Sequence, residues 1–287
     1  MTRFVNPNDF KKCIYKMRNF FKSKGFIDLT PTHCTKNIIS CYQDHKHKTI
    51  WPLSKCEHTL LLNPDKEGYF GITNYNSKTC SYMMFEFEGK GNINNLINIE
   101  KELMEYIGFE KNIIDNRNFT TNISNVYDLH TKNQMLSKAL TVEYKDYHNG
   151  DYNKIIKALN VKNIGKKEEK LIQKKYGDIF LLKNIPRYES QFWNTNFENN
   201  IAKHVDVIVH GQKTIYSCER SCDIEQMYET FNTILNGQYA DTLHNMYGDD
   251  IENELHNYFS NIFFNRYGGN IDIIGMTRGM TISNLLN

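Results

Sequence analysis

Cysteine and histidine are concentrated in one stretch of the sequence, and these residue types can bind a metal or act as nucleophiles. The residues concerned are Cys34, Cys41, His45, His47, Cys56 and His58. A structural zinc ion needs four thiolate or imidazole ligands, which usually come as two closely spaced pairs. The spacing here is irregular and the chain has no CxxC pair, so the pattern favours scattered thiols and surface histidines. A thiol nucleophile needs a base beside it, and no spacing assigns one.

A second group of segments combines arginine, acidic and aromatic residues. The segments are residues 20–31 (FFKSKGFIDLTP), 83–88 (MMFEFE), 190–194 (SQFWN), 206–211 (DVIVHG), 215–221 (IYSCERS) and 274–280 (IGMTRGM). An arginine fork pairs best with carboxylates or phosphates, and an aromatic face can stack on a base. Each segment alone is common, since any half-buried strand can alternate aromatic and acidic residues. The order of the segments along the chain is the informative feature.

In this order the segments resemble the catalytic core of class II aminoacyl-tRNA synthetases. They are nearest to the asparaginyl and aspartyl enzymes and to the ammonia-dependent asparagine synthetases built on the same core. The resemblance covers residues 8–287: 20–31 look like motif 1, 83–88 like the end of motif 2, and GMTR like motif 3. The core of that family is a mostly antiparallel sheet flanked by helices. The resemblance therefore implies an α+β fold.

The resemblance also implies an ATP site, with ATP as the cofactor and Mg²⁺ as a candidate second one. Phe85 would be the platform on which adenine stacks, with Glu86 and Lys78 also in the nucleotide site. Arg278 would lie against the far phosphate of ATP. Asp206 would be a carboxylate on the metal side.

A third implied element is the amino-acid site. Arg220 would bind the side-chain end of aspartate or asparagine, with Glu219 beside it. Arg220 and Arg278 would together be the catalytic residues.

Three positions depart from the pattern of the family. The motif 2 arginine and glutamate align with Asn76 and Lys78, and the second metal carboxylate aligns with Lys213. The chain has no arginine between Arg18 and Arg117, so a shift in the alignment cannot recover the missing one. The motif 2 loop, which touches tRNA in the family, is also short. Either lysine charge replaces Mg²⁺ and arginine, or activation chemistry has been lost.

The sequence is compatible with three functions. The first is an asparagine synthetase-type ligase that activates aspartate with ATP and passes it to ammonia. The second is a catalytically inactive relative that serves as a dimeric binding or regulatory protein. The third is a minimal asparaginyl-tRNA synthetase-like enzyme that relies on partners, although the short motif 2 loop disfavours tRNA.

Hydrophobic periodicity predicts the elements that position these segments. Residues 8–24 and 92–107 read as amphipathic helices, each followed by a glycine. Strands are predicted at 69–72, 82–88, 179–182, 205–209 and 271–276, and helices at 223–235 and 249–263. Residues 33–58 read as loop-like, and the pair at 268–269 as a turn.

Length and composition limit the class of protein. The 287 residues carry a net charge of +2, which is far from the strong basicity of a protein that coats duplex DNA. No apolar stretch reaches membrane-span length, and the seven cysteines indicate free thiols in a reducing compartment. We expect a cytoplasmic protein whose residues 1–287 form one catalytic-core domain without an anticodon-binding domain. We also expect a homodimer that pairs through residues 8–31.

Overall fold

The computed structural model describes residues 5–29, 43–44, 49–50, 54–76, 81–109, 150–190 and 192–286. Some residues to which the sequence assigns a role lie outside these ranges, and for one of them only the side chain is outside the described part. They are Pro31, Cys34, Cys41, His45, His47, the side chain of Asn76, and Lys78 with the rest of the motif 2 loop. In the described ranges, no helix is long and apolar enough to cross a bilayer.

The described residues form both helices and strands. The helices are α1 (Pro7–Ser23), α2 (Lys55–Leu62), α3 (Ile93–Ile107), α4 (Tyr152–Leu159), α5 (Lys166–Tyr176), α6 (Ile224–Thr233), α7 (Gln238–Tyr247), α8 (Asp250–Phe259) and α9 (Ile273–Ile282). The strands are β1 (Ile27–Asp28), β2 (Gln43–Asp44), β3 (Thr49–Ile50), β4 (Gly68–Asn76), β5 (Ser81–Lys90), β6 (Gly150–Asp151), β7 (Ile179–Pro186), β8 (Phe197–Glu198), β9 (Ile201–Val209), β10 (Gln212–Arg220) and β11 (Arg266–Asp272).

One nine-stranded sheet organises the fold. Its order is β1-β4-β5-β11-β10-β9-β7-β6, with β8 added at β9. The central pairs are antiparallel, and only the outer pairs β1–β4 and β6–β7 are parallel. A mostly antiparallel sheet flanked by helices confirms the predicted α+β class.

The two faces of the sheet differ in chemistry, as β5 shows. Side chains alternate between faces along a strand, and Phe85 and Phe87 point into the main apolar core. Glu86 and Glu88 therefore point to the opposite face, where they are also buried. We call the first the helix face, because α1, α3 and α9 pack against it. We call the second the polar face.

Helix α1 forms where the periodicity predicts it and packs inward. The Asn6 side chain accepts a hydrogen bond from the Asn8 backbone N–H at 2.8 Å, which caps the helix start. Gly25, with φ of 81°, follows its end. Its apolar side, which includes Met17 and Phe21, is buried against α3 and α9 of the same chain. The apolar side of α1 is therefore covered within the chain and gives no support to the predicted dimer.

The end of the chain differs from the prediction. Gly268 and Gly269 lie inside β11, and the predicted strand at 271–276 is mostly the first turn of α9. A side chain at Gly268 would collide with the carboxylate of Glu88, and one at Gly269 would meet Ser217. Glycine is needed here for close cross-strand packing, which the turn signal of a glycine pair conceals.

Candidate functional site

The backbone register lines up polar residues across the centre of the polar face. One row, from β5 to β9, is Glu86, Asn270, Tyr216 and Asp206. The next row is Glu88, Gly268, Cys218 and His204. Since paired residues on neighbouring strands lie about 5 Å apart, the sheet gathers the acidic and basic groups of four strands into one site.

Arg220 stands at one end of this site, at the end of β10. Its Nη2 and Nε donate to the two carboxylate oxygens of Glu88, with Nη2 at 2.5 Å and Nε at 3.4 Å. Its Nη1 donates to Asn194 Oδ1 at 3.2 Å and to Cys218 Sγ at 3.2 Å. The Phe192 ring lies 6.0 Å from the guanidinium carbon. The charged fork of Arg220 is therefore satisfied by a carboxylate of its own chain.

A second buried arginine completes the network. Arg266 donates to Glu57 Oε1 from Nη2 at 2.9 Å and from Nε at 3.1 Å. Tyr258 also donates to Glu57 Oε1, and Asn194 donates to Glu57 Oε2 at 3.1 Å. Glu57 and Arg266 are at most 1% exposed. Helices α2 and α8 thus close this end of the polar face, and two carboxylates balance two guanidiniums inside it.

The two glutamates of the network differ in proton affinity. Burial raises the pKa of Glu88 to about 7, although the Arg220 charge opposes the shift. Burial also acts on Glu57, but there the Arg220 and Arg266 charges outweigh it and lower the pKa. Glu57 is therefore the firmly ionised partner, and Glu88 is the one that can take up a proton near neutral pH.

Asp206 lies further along the polar face, where it forms an ion pair with a lysine of the same chain. Lys213 Nζ is 3.3 Å from Asp206 Oδ2, and His204 Nε2 is 2.9 Å from Oδ1. Burial would raise the pKa of Asp206, but the Lys213 and His204 charges outweigh it and lower the pKa. The Asp206 charge in turn raises the pKa of Lys213. This aspartate is ionised and already neutralised.

The residues at Asp206 do not fit Mg²⁺. Mg²⁺ is bound by oxygen ligands, chiefly carboxylates and water. The position that would supply a second carboxylate is Lys213, and its ammonium occupies the space beside Asp206. In the part of the chain that the structure describes, no cluster of three or more His, Cys, Asp or Glu side chains could hold a metal ion. The expectation that Asp206 is a metal-side carboxylate is therefore not supported by its surroundings.

Two buried polar atoms of the polar face have no hydrogen-bond partner among the residues that the structure describes. They are His204 Nδ1 and Asn270 Oδ1. Buried polar atoms are nearly always paired, so these two can accept a polar group of a ligand as partner. The Phe192 ring lies 6.1 Å from the His204 ring, and Tyr216 is half-buried between the strands of His204 and Asn270.

The structure separates the predicted site residues into two groups. Glu86, Arg220 and Asp206 share the polar face, as the alternation along their strands requires. Glu219 lies on the helix face, where its Oε2 accepts a hydrogen bond from the Ile93 backbone N–H at 2.6 Å. Glu219 thus binds the first turn of α3, and the predicted role for it beside the amino acid is wrong.

Phe85 is also on the other side of the sheet from Glu86. It is fully buried, stacked 5.3 Å from the Phe70 ring and 5.2 Å from the Phe21 ring. Its ring is therefore not available as an adenine platform, and that prediction is wrong.

The predicted phosphate residue Arg278 is half-buried in the second turn of α9. Its role against phosphate stays a prediction.

Much of the buried network has no sequence motif. Four of its members carry no motif-based role, yet they position Arg220: Glu57, Asn194, Tyr258 and Arg266. For Glu57 a signal was present: Ser54 precedes it by three residues, the spacing of a helix-capping box, and Ser54 Oγ accepts from the Glu57 N–H at 3.4 Å.

Comparison of the fold with solved structures gives consistent matches. The aspartyl-tRNA synthetase of Entamoeba histolytica superposes with a TM-score of 0.61 at 16% identity, over 97% of this chain and 55% of that one. The asparaginyl-tRNA synthetase of the same organism gives a TM-score of 0.64 at 10% identity, over 96% of this chain and 62% of that one. The asparaginyl-tRNA synthetase of Pyrococcus horikoshii, complexed with asparaginyl-adenylate, gives a TM-score of 0.64 at 12% identity, over 96% of this chain and 65% of that one. The chain has the class II synthetase fold.

These similarities establish the fold and no more, because the identities are low. The chain spans less than two thirds of the length of these three structures. No protein-family profile matches the chain, and a search of curated protein sequences finds no match.

Proposed function

We propose that this chain is a binding protein with a synthetase fold. It recognises an amino acid of the aspartate/asparagine type on its polar face and does not activate it with ATP. The observation that carries the proposal is the ion pair between Asp206 and Lys213. In a class II ligase, as the resemblance has it, this place needs two carboxylates around Mg²⁺.

Electrostatics explains why the ion pair opposes activation. A divalent cation beside Asp206 would face the Lys213 ammonium at close range, and like charges repel strongly where burial lowers the dielectric constant. Neutralisation of the triphosphate would also lack the motif 2 arginine, which aligns with Asn76. Loss of one preorganised charge of this kind typically raises a barrier by about 3–4 kcal/mol. Two such losses leave little room for adenylate formation.

The binding part of the proposal rests on Arg220 and on the orphan atoms. Glu88 holds the guanidinium in place from one side, while the partners of Nη1 among the described residues are the neutral Asn194 and Cys218. A ligand carboxylate or carboxamide competes with these two partners for Nη1, not with Glu88. His204 Nδ1 and Asn270 Oδ1 then offer further polar contacts on the same face.

Calorimetric titration with aspartate and asparagine tests amino-acid binding. We expect binding by the native chain and at least tenfold weaker binding by Arg220→Lys, because lysine has no rigid fork that could bond Glu88 on one side and the ligand on the other. The matched control is Arg187→Lys, since Arg187 is partly exposed and donates to Thr230. Equal affinity of Arg220→Lys and the native chain, or no heat with either amino acid, contradicts the proposal.

A second candidate is an ATP-dependent ligase of the asparagine synthetase type. One observation favours it: Lys213 is partly exposed, so its ammonium could reach a phosphate. The Pyrococcus horikoshii structure contains an asparaginyl-adenylate, and the same chemistry here would use Lys213 charge in place of Mg²⁺. Amino-acid-dependent pyrophosphate exchange separates this candidate from the first.

A separate proposal concerns how the chain assembles, and it comes from the resemblance. We propose a cytoplasmic homodimer that pairs through residues 8–31. Within that segment Tyr15 is 66% exposed and Ile27 is 38% exposed, so some apolar surface is available to a second copy. Sedimentation at micromolar concentration should show a dimer, and a monomer would remove this proposal.

A further inference from the structure

Helix α5 carries a row of lysines on its exposed side. Lys166, Lys170 and Lys174 follow one another at four-residue intervals, which places them about 6 Å apart along the helix. Lys167 flanks the row, and all four side chains are exposed. The opposite side of the helix is anchored by Ile172, which is fully buried in the apolar cluster under α4. We call these four residues the lysine row.

The acidic residues of α5 leave most of the lysine row unneutralised, although the Lys166 charge favours the ionised form of Glu169. Glu168 accepts a hydrogen bond from the Gly165 backbone N–H at 3.0 Å, and Glu169 accepts one from the Lys213 N–H at 2.9 Å. Both carboxylates are thus used on the protein side of the helix. Within the described part of the chain, no carboxylate lies within 4.0 Å of an ammonium group of the row.

Mutual repulsion within the lysine row opposes formation of its own helix, and only Lys174, in the last turn, suits the helix dipole. Like charges three or four residues apart lower helix stability, and the row contains such pairs at Lys166–Lys170, Lys167–Lys170 and Lys170–Lys174. Two more exposed lysines, Lys154 and Lys157, lie on the neighbouring α4. The surface therefore concentrates positive charge at a cost to the fold, although the net charge of the whole chain is only +2.

We propose that the lysine row binds the phosphate backbone of single-stranded RNA. Evenly spaced point charges on a straight helix match a linear polymer that repeats a single negative charge, rather than one isolated anion. Lysine neutralises phosphate without base contacts, so the binding is independent of sequence. An anionic membrane surface fits less well, because a membrane-surface helix needs a broad apolar side facing lipid. In α5, Ile172 is buried in the protein and Leu171 is the large aliphatic side chain that is exposed.

The surface lies outside the network of Arg220 and adjoins the Lys213 end of the polar face. The Glu169 contact to the Lys213 backbone fixes this position, and Lys170 and Gln173 pack against Gly211 in the turn before β10. The proposal does not depend on amino-acid binding, and its test can succeed or fail independently.

Fluorescence anisotropy with a labelled oligouridylate tests the proposal on the full chain. Four neutralised phosphates give a slope of log K against log salt of about −3 between about 50 and 200 mM salt. The variant Lys170→Gln/Lys174→Gln should bind at least tenfold more weakly at the lower salt, with a slope less steep by about 1.4. The control Lys11→Gln/Lys101→Gln removes two lysine charges outside α5 and should bind as the native chain does.

Three results would overturn the proposal. One is absence of oligouridylate binding by the native chain at low salt. Another is equal affinity and slope for the row variant and the native chain. The third is lysine-dependent binding to phosphatidylserine vesicles without binding to the oligouridylate. Circular dichroism melting of each variant confirms that the fold is intact, since exposed Lys→Gln changes on a helix cost little.

Discussion

The ammonium of Lys213 lies 3.3 Å from the Asp206 carboxylate, in the row of polar residues that crosses the centre of the sheet. The pair joins β9 and β10 across the bulge that follows Lys213. A permanent cation of the chain therefore stands where a class II ligase, by resemblance, needs Mg²⁺. This relationship makes the site a candidate for recognition rather than activation.

Restoring a carboxylate at this position should create a metal site. We expect Lys213→Glu to gain a Mg²⁺-dependent rise in Tm of about 3 °C at millimolar Mg²⁺, because a cation can then bridge two carboxylates. The native chain should show no such rise. Lys154→Glu makes the same charge change on an exposed helix and serves as the control. A similar response of the native chain to Mg²⁺ would show that the ion pair does not exclude the metal.

The buried network of Glu57 and Arg266 should be strongly coupled. Either Glu57→Leu or Arg266→Met leaves an unpaired buried charge, and we expect each to lower the free energy of unfolding by about 3–5 kcal/mol. The double variant should lose less stability than the sum of the two single losses, and the difference should be about 2 kcal/mol or more. Urea denaturation measures all three.

A surface pair provides the comparison for that cycle. Lys203 Nζ lies 3.5 Å from Glu198, and the Glu198 side chain is 69% exposed. Its coupling should stay below about 1 kcal/mol. Additive losses at Glu57 and Arg266 would mean that the network is not a cooperative unit.

Glu100 gives the stability of the fold a dependence on pH. It is buried on the helix face, where Ser217 donates to it, and burial raises its pKa from 4.5 to about 8. Between these values the folded chain keeps a proton that the unfolded chain releases, so stability falls as pH rises through this window.

Replacing the ionisable group should remove this fall. Glu100→Gln keeps an acceptor for Ser217, and we expect it to lose less stability than the native chain between pH 5 and 8, by up to about 4 kcal/mol. Denaturation curves at several pH values measure the difference. Glu105→Gln, an exposed change on the same helix, should follow the native chain, and identical curves for Glu100→Gln would contradict the buried-proton explanation.

Local patterns predicted elements better than they predicted which side chains meet. The alternation along 82–88 predicted β5, but the resemblance placed Phe85 in the site although its apolar ring favoured the core. Period-two alternation puts neighbours on opposite faces, and long-range packing decides which face is which. The same uncertainty affected Glu219, which was predicted beside Arg220 in the amino-acid site. The two residues are consecutive in β10, so their side chains point to opposite faces of the sheet.

Contacts between distant segments could not be read from spacing. Glu57 and Arg266 are separated by 209 positions and meet only because α2 and β11 close on the same end of the sheet. The Asp206–Lys213 pair was within reach of the sequence, since Asp206 was singled out as the retained metal carboxylate and Lys213 as the replaced one. Their direct contact depended on the turn between β9 and β10, which alternation alone does not fix.

The most direct test of the central claim is amino-acid-dependent exchange of labelled pyrophosphate into ATP, measured with aspartate and with asparagine at millimolar Mg²⁺. Exchange reports formation of an aminoacyl-adenylate whatever the final acceptor is. The Asp206–Lys213 pair predicts no exchange above the background without amino acid, together with measurable amino-acid binding in the calorimeter. Exchange that requires aspartate or asparagine and is lost in Lys213→Met would contradict this account and establish a ligase in which lysine takes the place of the metal.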